Sequence, residues 1–223
     1  MKKIIILIPP SERKVIDGDF ESLKEFDLIT RDLLGKLDSY DGDLSKLYGV
    51  KDKKLNEVLK INREIKECGT LPAIERYSGV VYQGIDYSTI KNKELFNGRV
   101  YILSGLFGLI NCIKLIPDYK FKIDFFGAAS LWKDTVSKFL KDYYVIDLLP
   151  IVYRKAISYP DGIYVEFVVV SEGVRKSAGH EGKLVKGKFV RWLIENSIND
   201  IDRFDEFNEE GYKWDGEKFL KEI

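Results

Sequence analysis

The sequence predicts one α/β domain, on three observations. Short β-branched apolar runs alternate with stretches of helical periodicity along all 223 residues. No repeat, low-complexity tract or Gly/Ser linker divides the chain. Apolar residues are 45% of the composition and aromatics 13%, enough for one substantial core and incompatible with disorder. Alternation of this kind places helices against a sheet.

The elements follow in order. Residues 4–8 (IIILI), stopped by Pro9 and Pro10, read as a fully buried strand. Leu23, Phe26, Leu33, Leu34 and Leu37 have helical spacing and predict a helix within 20–40. Residues 44–67 form two helical pieces around Gly49-Val50-Lys51, with Asp52 placed to cap the second and Pro72 closing the region. Val80, Val81 and Tyr82 read as a short strand broken by Gly84, with Asp86 and Ser88 positioned to start a helix. Strands are expected at 99–103 and 144–149, the latter ended by Pro150, and a helix at 131–143. YVEFVVVS, 164–171, is the clearest strand and is placed centrally. A helix covers 180–196, and a Gly211-Tyr212 turn lies in the acidic remainder.

Lys plus Arg and Asp plus Glu both count 36, so the net charge makes no case for a polyanion. The distribution does. Residues 171–191 carry six bases against two acids, and 199–223 carry nine acids against four bases. A neutral total therefore conceals a basic patch. Cys68 and Cys112 are far apart and in no metal-ligand spacing, the usage of a reducing compartment. The apolar run after Lys2 and Lys3 is too short for a membrane span and lacks a cleavage site, so the expected location is cytoplasmic. His180 is the only histidine. That excludes histidine-rich metal sites and confines any Ser–His or Cys–His mechanism to position 180. Neither a metal nor a cofactor is expected.

GHEGKLVKGKFVRWLIEN, 179–196, is the most informative segment. Val185, Phe189, Trp192 and Leu193 cover one helical face, while Lys183, Gly187 and Arg191 climb another with Lys186 beside them. A glycine inside a helix costs about 1 kcal/mol against alanine and needs a reason. Close approach of an anion between flanking cations is one; a tight helix crossing is another, and a solvated basic face remains open. Ser104, Gly105 and Gly108 interrupt the most hydrophobic stretch at a strand end, where glycine turns serve either a ligand or tight packing. Ser11 and Lys14 follow the first strand in PPSERK, where they either meet a ligand at the strand end or, respectively, cap a turn and face water. Lys51, Lys53 and Lys54 surround the turn of the 44–67 element, which outlines a helix–hairpin–helix but lacks its second glycine; a plain αα-hairpin is the alternative. No nucleophile–base pair is evident.

Taken together, LIPPSERK, RYSGVVYQGIDY, YILSGLFGLI, IPDYKFKI, KLVKGKFVRWLIEN and FNEEGYKWD resemble, in order, the motifs of the YaaA family of peroxide stress proteins. The resemblance implies a single mixed α+β domain over 1–223, a central mixed sheet flanked by helices, and a positively charged cleft. It implies a peroxide-stress role, binding of duplex or branched DNA without sequence preference, and protection of DNA from iron-dependent damage. The residues carried over are Lys183, Lys186, Gly187 and Arg191 of the basic helix, Ser104, Gly105 and Gly108 of the glycine turn, and Tyr119 and Lys120 of the aromatic–basic pair. Ser11 and Lys14 lie in the first motif. Asn111 and Cys112 stand where the family has an Arg-Pro pair, and Asp124 where it has a glycine; these departures weaken the expected DNA contact. An enzyme acting on a small anionic or nucleobase-like substrate in the same cleft is the competing expectation, and the expected state is a monomer.

Overall fold

The computed structural model describes residues 2–223, the side chain of Ser177 excepted. The first half contains β1 (Lys3–Ile8), α1 (Leu28–Asp38), α2 (Leu44–Tyr48), α3 (Asp52–Arg63), β2 (Leu71–Pro72), α4 (Ala73–Arg76), α5 (Val80–Ile85), α6 (Lys93–Arg99), β3 (Val100–Ser104) and β4 (Gly108–Asn111). The second half contains β5 (Leu115–Ile116), α7 (Ala128–Leu140), β6 (Tyr143–Asp147), α8 (Ile151–Arg154), β7 (Gly162–Tyr164), β8 (Phe167–Ser171), β9 (Val174–Ser177), α9 (Gly179–Glu195), β10 (Lys213–Trp214) and β11 (Phe219–Glu222).

Strand β1 is central because its apolar run must be covered on both faces; Ile5, Ile6, Leu7 and Ile8 are all buried. The five-stranded sheet runs β4-β3-β1-β6-β7. Strands β3, β1, β6 and β7 are parallel, and β4 returns antiparallel to β3 through a hairpin at 105–107. Helix α7 packs on β4 and β6, and α6 packs against β1. The architecture is one mixed α/β domain with a central sheet flanked by helices. A second sheet, β10-β11-β8-β9, carries α9 on β8. Its core is aromatic: the Phe167 and Phe219 rings stack at 4.8 Å, with Phe189 edge-on to Phe204 and Phe207. The acidic C-terminal stretch is thus anchored by buried rings.

Four expectations are corrected. Val80, Val81 and Tyr82 belong to a helix, not a strand: Val81, Tyr82 and Ile85 bury one face of α5 against α9, and tertiary packing overrides β-branched propensity. The 164–171 run is two strands in two sheets. The Val165 amide donates to Asp147 and the Phe219 amide to Glu166, so the chain changes partners between adjacent residues, and β7 is an edge strand of the large sheet. The helix in 20–40 begins only at Leu28, because Asp27 caps it through the Thr30 amide and Phe20 is already bridged to Thr70. Asp52 is not a cap but the first residue of α3; the capping side chain in this hairpin is Asp43, on α2.

Gly187 marks a helix–helix crossing. A Cβ there would lie 2.1 Å from the Val81 carbonyl oxygen and 2.8 Å from the Gly84 Cα. One on Gly84 would lie 2.3 Å from the Leu184 carbonyl oxygen. Neither backbone can retreat without separating α5 from α9. Gly187→Ala should therefore lower stability by about 1–3 kcal/mol through overpacking. Gly35→Ala, on an exposed stretch of α1 with open space around it, should raise stability by about 0.5–1 kcal/mol. Urea unfolding of the two variants measures this opposition in sign.

Candidate functional site

The crossing of α5 and α9 determines what faces what. The chain leaving β1 runs through Pro9 and Pro10 along the start of α5, and the Tyr82 hydroxyl fastens it by donating to the Pro9 carbonyl at 2.9 Å. Ser11 rests on Gly79, where a Cβ would come within 2.2 Å of its Oγ, and that Oγ accepts the Arg13 amide. The first two turns of α9 stand opposite. Between them lies a cavity of about 630 Å³, lined by Ser11, Glu12 and Arg13 on one side and Lys183 and Lys186 on the other, with Tyr82, Tyr153, Tyr164 and Glu166 between.

The two cavity lysines differ. Lys183 is exposed and has no acid within ion-pair distance among the described residues. Lys186 reaches inward and donates to the Leu148 carbonyl at 2.6 Å. Burial pulls its pKa down to about 8, with Asp147 and Glu166 resisting and Lys183 adding to the fall. Asp147, fully buried at the end of β6, accepts from the Leu149 amide, from Arg154 at 3.1 Å and from Tyr159 at 3.2 Å. Burial raises its pKa against those partners.

Other sequence-selected residues occupy different ground. Arg191 donates to the carbonyls of Ile85, Asp86 and Thr89 and to the Thr89 hydroxyl, closing the C-terminal end of α5. Gly187 is in the crossing. Lys51, Lys53 and Lys54 are exposed at the start of α3 and line neither this cavity nor a second one of about 580 Å³ beside Arg13 and Tyr77. Asn62, on the same helix, binds the Lys120 backbone through both its amide and its carbonyl. Lys120 itself donates to the Glu12 carbonyl at 2.7 Å. Asn111 donates to the Asn97 carbonyl, Cys112 is buried beside the Asn97 side chain, and Asp124 is exposed; none lines either cavity.

The glycine turn packs behind the cavity. A Cβ on Gly105 would meet the Ile123 backbone at 2.7 Å, and Gly108 has φ +63 beneath the Trp132 ring. Ser104 accepts the Leu106 and Phe107 amides and shares a hydrogen bond of 2.7 Å with the Tyr119 hydroxyl. Tyr119 in turn shares one of 2.6 Å with Tyr77. Lys14 is half-buried with its ammonium 4.4 Å from the centre of the Tyr119 ring and 5.5 Å from that of Tyr77. Desolvation pulls Lys14 down to about 7, Lys120 and Arg76 adding to the effect and Asp118 and Glu12 opposing it.

Arg76, Tyr77 and Tyr82 lie in the RYSGVVYQGIDY motif, and none of them has a site role legible in the sequence. Arg76 is fully buried and donates to the carbonyls of Val15, Asp17, Gly69 and Ile116, tying three loops together. The sequence carried little signal, since Arg76 stands between Glu75 and Tyr77 in a mixed stretch and only the fold buries it. His180 is exposed on the first turn of α9. Among the described residues no group of three or more His, Cys, Asp and Glu side chains is placed to hold a metal ion, and no helix is long and apolar enough to cross a membrane.

The family model described as peroxide stress protein YaaA matches residues 4–218. The chain belongs to the YaaA family. A UPF0246 protein of Corynebacterium glutamicum strain R is 32% identical over 215 residues, covering 85% of this chain and 84% of the relative. One from Francisella philomiragia is 29% identical over 213 residues, 84% of each chain. Another, from Francisella tularensis subsp. mediasiatica, is 25% identical over 244 aligned residues, covering 95% of this chain and 94% of the relative.

Lys186 should titrate near 8 in an NMR experiment on isotope-labelled lysine. Asp147→Asn should move it lower still, since the lost carboxylate favours the ammonium. The unfolded chain holds this proton to about 10.4, so the lysine's contribution to stability increases as pH rises from 8 toward that value. A Lys186 resonance titrating with the bulk lysines would contradict the burial argument.

Proposed function

We propose that this protein binds DNA in the cytoplasmic response to peroxide, with the cavity between the 9–13 segment and α9 as the contact. Membership of the peroxide stress family supplies the setting. The observation that carries the reading is Lys183, without an ion-pair partner among the described residues, lining together with Arg13 a cavity edged by tyrosines. Cations of this kind hold phosphate oxygens, and tyrosine faces suit bases splayed from a strand. Lys51, Lys53 and Lys54 offer a further phosphate contact on the hairpin, and a plain αα-hairpin can serve this purpose without base readout. Protein held on DNA in this way limits iron-driven damage indirectly.

Thiol chemistry contributes little to this role. Burial pushes the Cys112 thiol up to about 12 and raises that of Cys68, which suppresses the thiolate that would attack peroxide. A second reading, an enzyme acting on a small anionic or nucleobase-like substrate, draws support from Lys186. A lysine inside a polar-lined cavity with a pKa of about 8 exchanges protons near neutrality, as a general acid or base must.

Binding of a labelled duplex, measured across a salt series, tests the first reading. Affinity should fall linearly on a log–log plot, and replacing Arg13 and Lys183 together by alanine should reduce the slope by about two. An unchanged slope in the double variant would remove the cavity from the interface. Catalysis instead requires turnover of a small substrate that stops in Lys186→Met.

A further inference from the structure

Several polar groups on the wall of the cavity between the 9–13 segment and α9 have no hydrogen bond or ion pair among the described residues. They are the side chains of Arg13, Lys183 and Glu166 and the hydroxyls of Tyr153 and Tyr164. These groups are graded by depth: Arg13 and Lys183 are exposed, whereas Tyr153, Tyr164 and Glu166 are half-buried. Glu166 has a firm base. The Val165 amide donates to the Asp147 carbonyl at 2.9 Å in the large sheet, and the Phe219 amide donates to the Glu166 carbonyl at 2.9 Å in the small one. The Tyr164 ring is held by the Arg154 guanidinium, 4.0 Å from its centre, and Arg154 by Asp147 at 3.1 Å. A carboxylate whose backbone both sheets fix, and whose oxygens no donor engages, is an acceptor prepared for a ligand.

We propose that this cavity binds a guanine nucleotide, with Glu166 accepting from the N1–H and 2-amino groups of the base and Lys183 and Arg13 holding the phosphate. A carboxylate accepts and does not donate. Guanine presents two adjacent N–H donors on its pairing edge, one for each carboxylate oxygen. Adenine and cytosine place a ring-nitrogen acceptor beside their amino group, and uracil or thymine flanks its one N–H with carbonyl oxygens. Each of those edges sets a lone pair against the carboxylate and leaves an oxygen unsatisfied. Tyr82, Tyr153 and Tyr164 supply aromatic area for a planar base. The volume of about 630 Å³ is in the range that encloses a ligand of this size.

The depth of the groups sets the polarity of binding, base inward and phosphate outward. Lys186 is spent on the Leu148 carbonyl at 2.6 Å and is not counted as a phosphate ligand. Glu12, the other acid on the wall, is exposed beside Arg13 and belongs to the outer end. Because the phosphate stays at the surface, two sources fit: a free nucleotide, or a guanine nucleotide splayed out of a DNA strand. The second source rests on the DNA-binding reading; the first does not.

Calorimetric titration of the whole protein with GMP, IMP, AMP, CMP and UMP tests the inference. GMP should bind about 10- to 100-fold more tightly than AMP, CMP or UMP. IMP, which keeps N1–H and lacks the 2-amino group, should fall between them, a comparison that needs no variant. Glu166→Gln should bring GMP down to the affinity of the other nucleotides, and Lys183→Ala should bring it toward that of guanosine, which has no phosphate. A second arm compares a duplex carrying one unpaired guanine with the same duplex carrying one unpaired adenine; tighter binding of the guanine duplex is the result expected if a strand supplies the nucleotide. GMP selectivity without duplex binding would remove the DNA reading and keep the nucleotide site. Duplex binding without guanine selectivity in either arm would do the reverse. Equal affinities for the five nucleotides and the two duplexes, no binding of any of them, or a guanine preference that survives in a folded Glu166→Gln protein would overturn the proposal.

Discussion

Two glycine backbones pressed against each other organise this molecule. Helix α9 grows out of the small aromatic sheet, whereas α5 belongs to the segment that follows the first loops of the large one. Only at Gly84 and Gly187 do they come close enough for the carbonyl of one helix to fill the space where the other's side chain would be. Lys183 and Lys186 project from the turns on the N-terminal side of that contact, which is why they meet the chain emerging from β1. Arg191, one turn beyond, secures the same contact from the other side by closing the end of α5. The basic character of α9 is thus divided by position: Lys183 and Lys186 before the crossing line a cavity, whereas beyond it Lys188 pairs with Glu209 and Glu210 and Arg191 holds backbone.

Arg76 performs the corresponding task for the polar loops. Arg76 has no carboxylate in direct contact among the described residues, so it is stable in the interior only if its N–H groups are satisfied, and four backbone carbonyls do this. The carbonyls come from residues far apart in sequence, so the arginine fixes the path of 15–17 against 69 and 116. That path sets Lys14 beside Tyr77. A residue selected by burial energetics therefore determines the surroundings of the most desolvated amine in the region.

Much of the fold was legible because strands such as β1, β3 and β6 are continuous apolar runs, and α9 keeps its period for seventeen residues. Shorter elements were not. Residues 80–85 have two valines and a tyrosine at the start, a local preference for strand that only the presence of α9 reverses. The Tyr164–Phe167 region has no turn signal, since a strand that changes sheets without bending looks like one strand. The site was legible as separate pieces. Ser11 and Lys183 face one cavity, while Ser104, Tyr119 and Lys14 meet around Tyr77 behind it. Tyr77 itself gave no warning, because a tyrosine before Ser-Gly looks like any other aromatic near a turn. Depth and hydrogen-bond partners are properties of the assembled fold, and no spacing rule encodes them.

The small sheet has a further implication for how the protein is made. Strand β11, residues 219–222, is inserted between β10 and β8 and runs parallel to β8. During translation, β8 and α9 emerge long before the strand that completes their sheet, and domains assemble as the chain leaves the ribosome. The wall bearing Lys183 and Lys186 therefore acquires its full support only when the closing residues arrive. Until then Phe167 and Phe189 lack the Phe219 ring they pack against, and the nascent chain exposes apolar surface there.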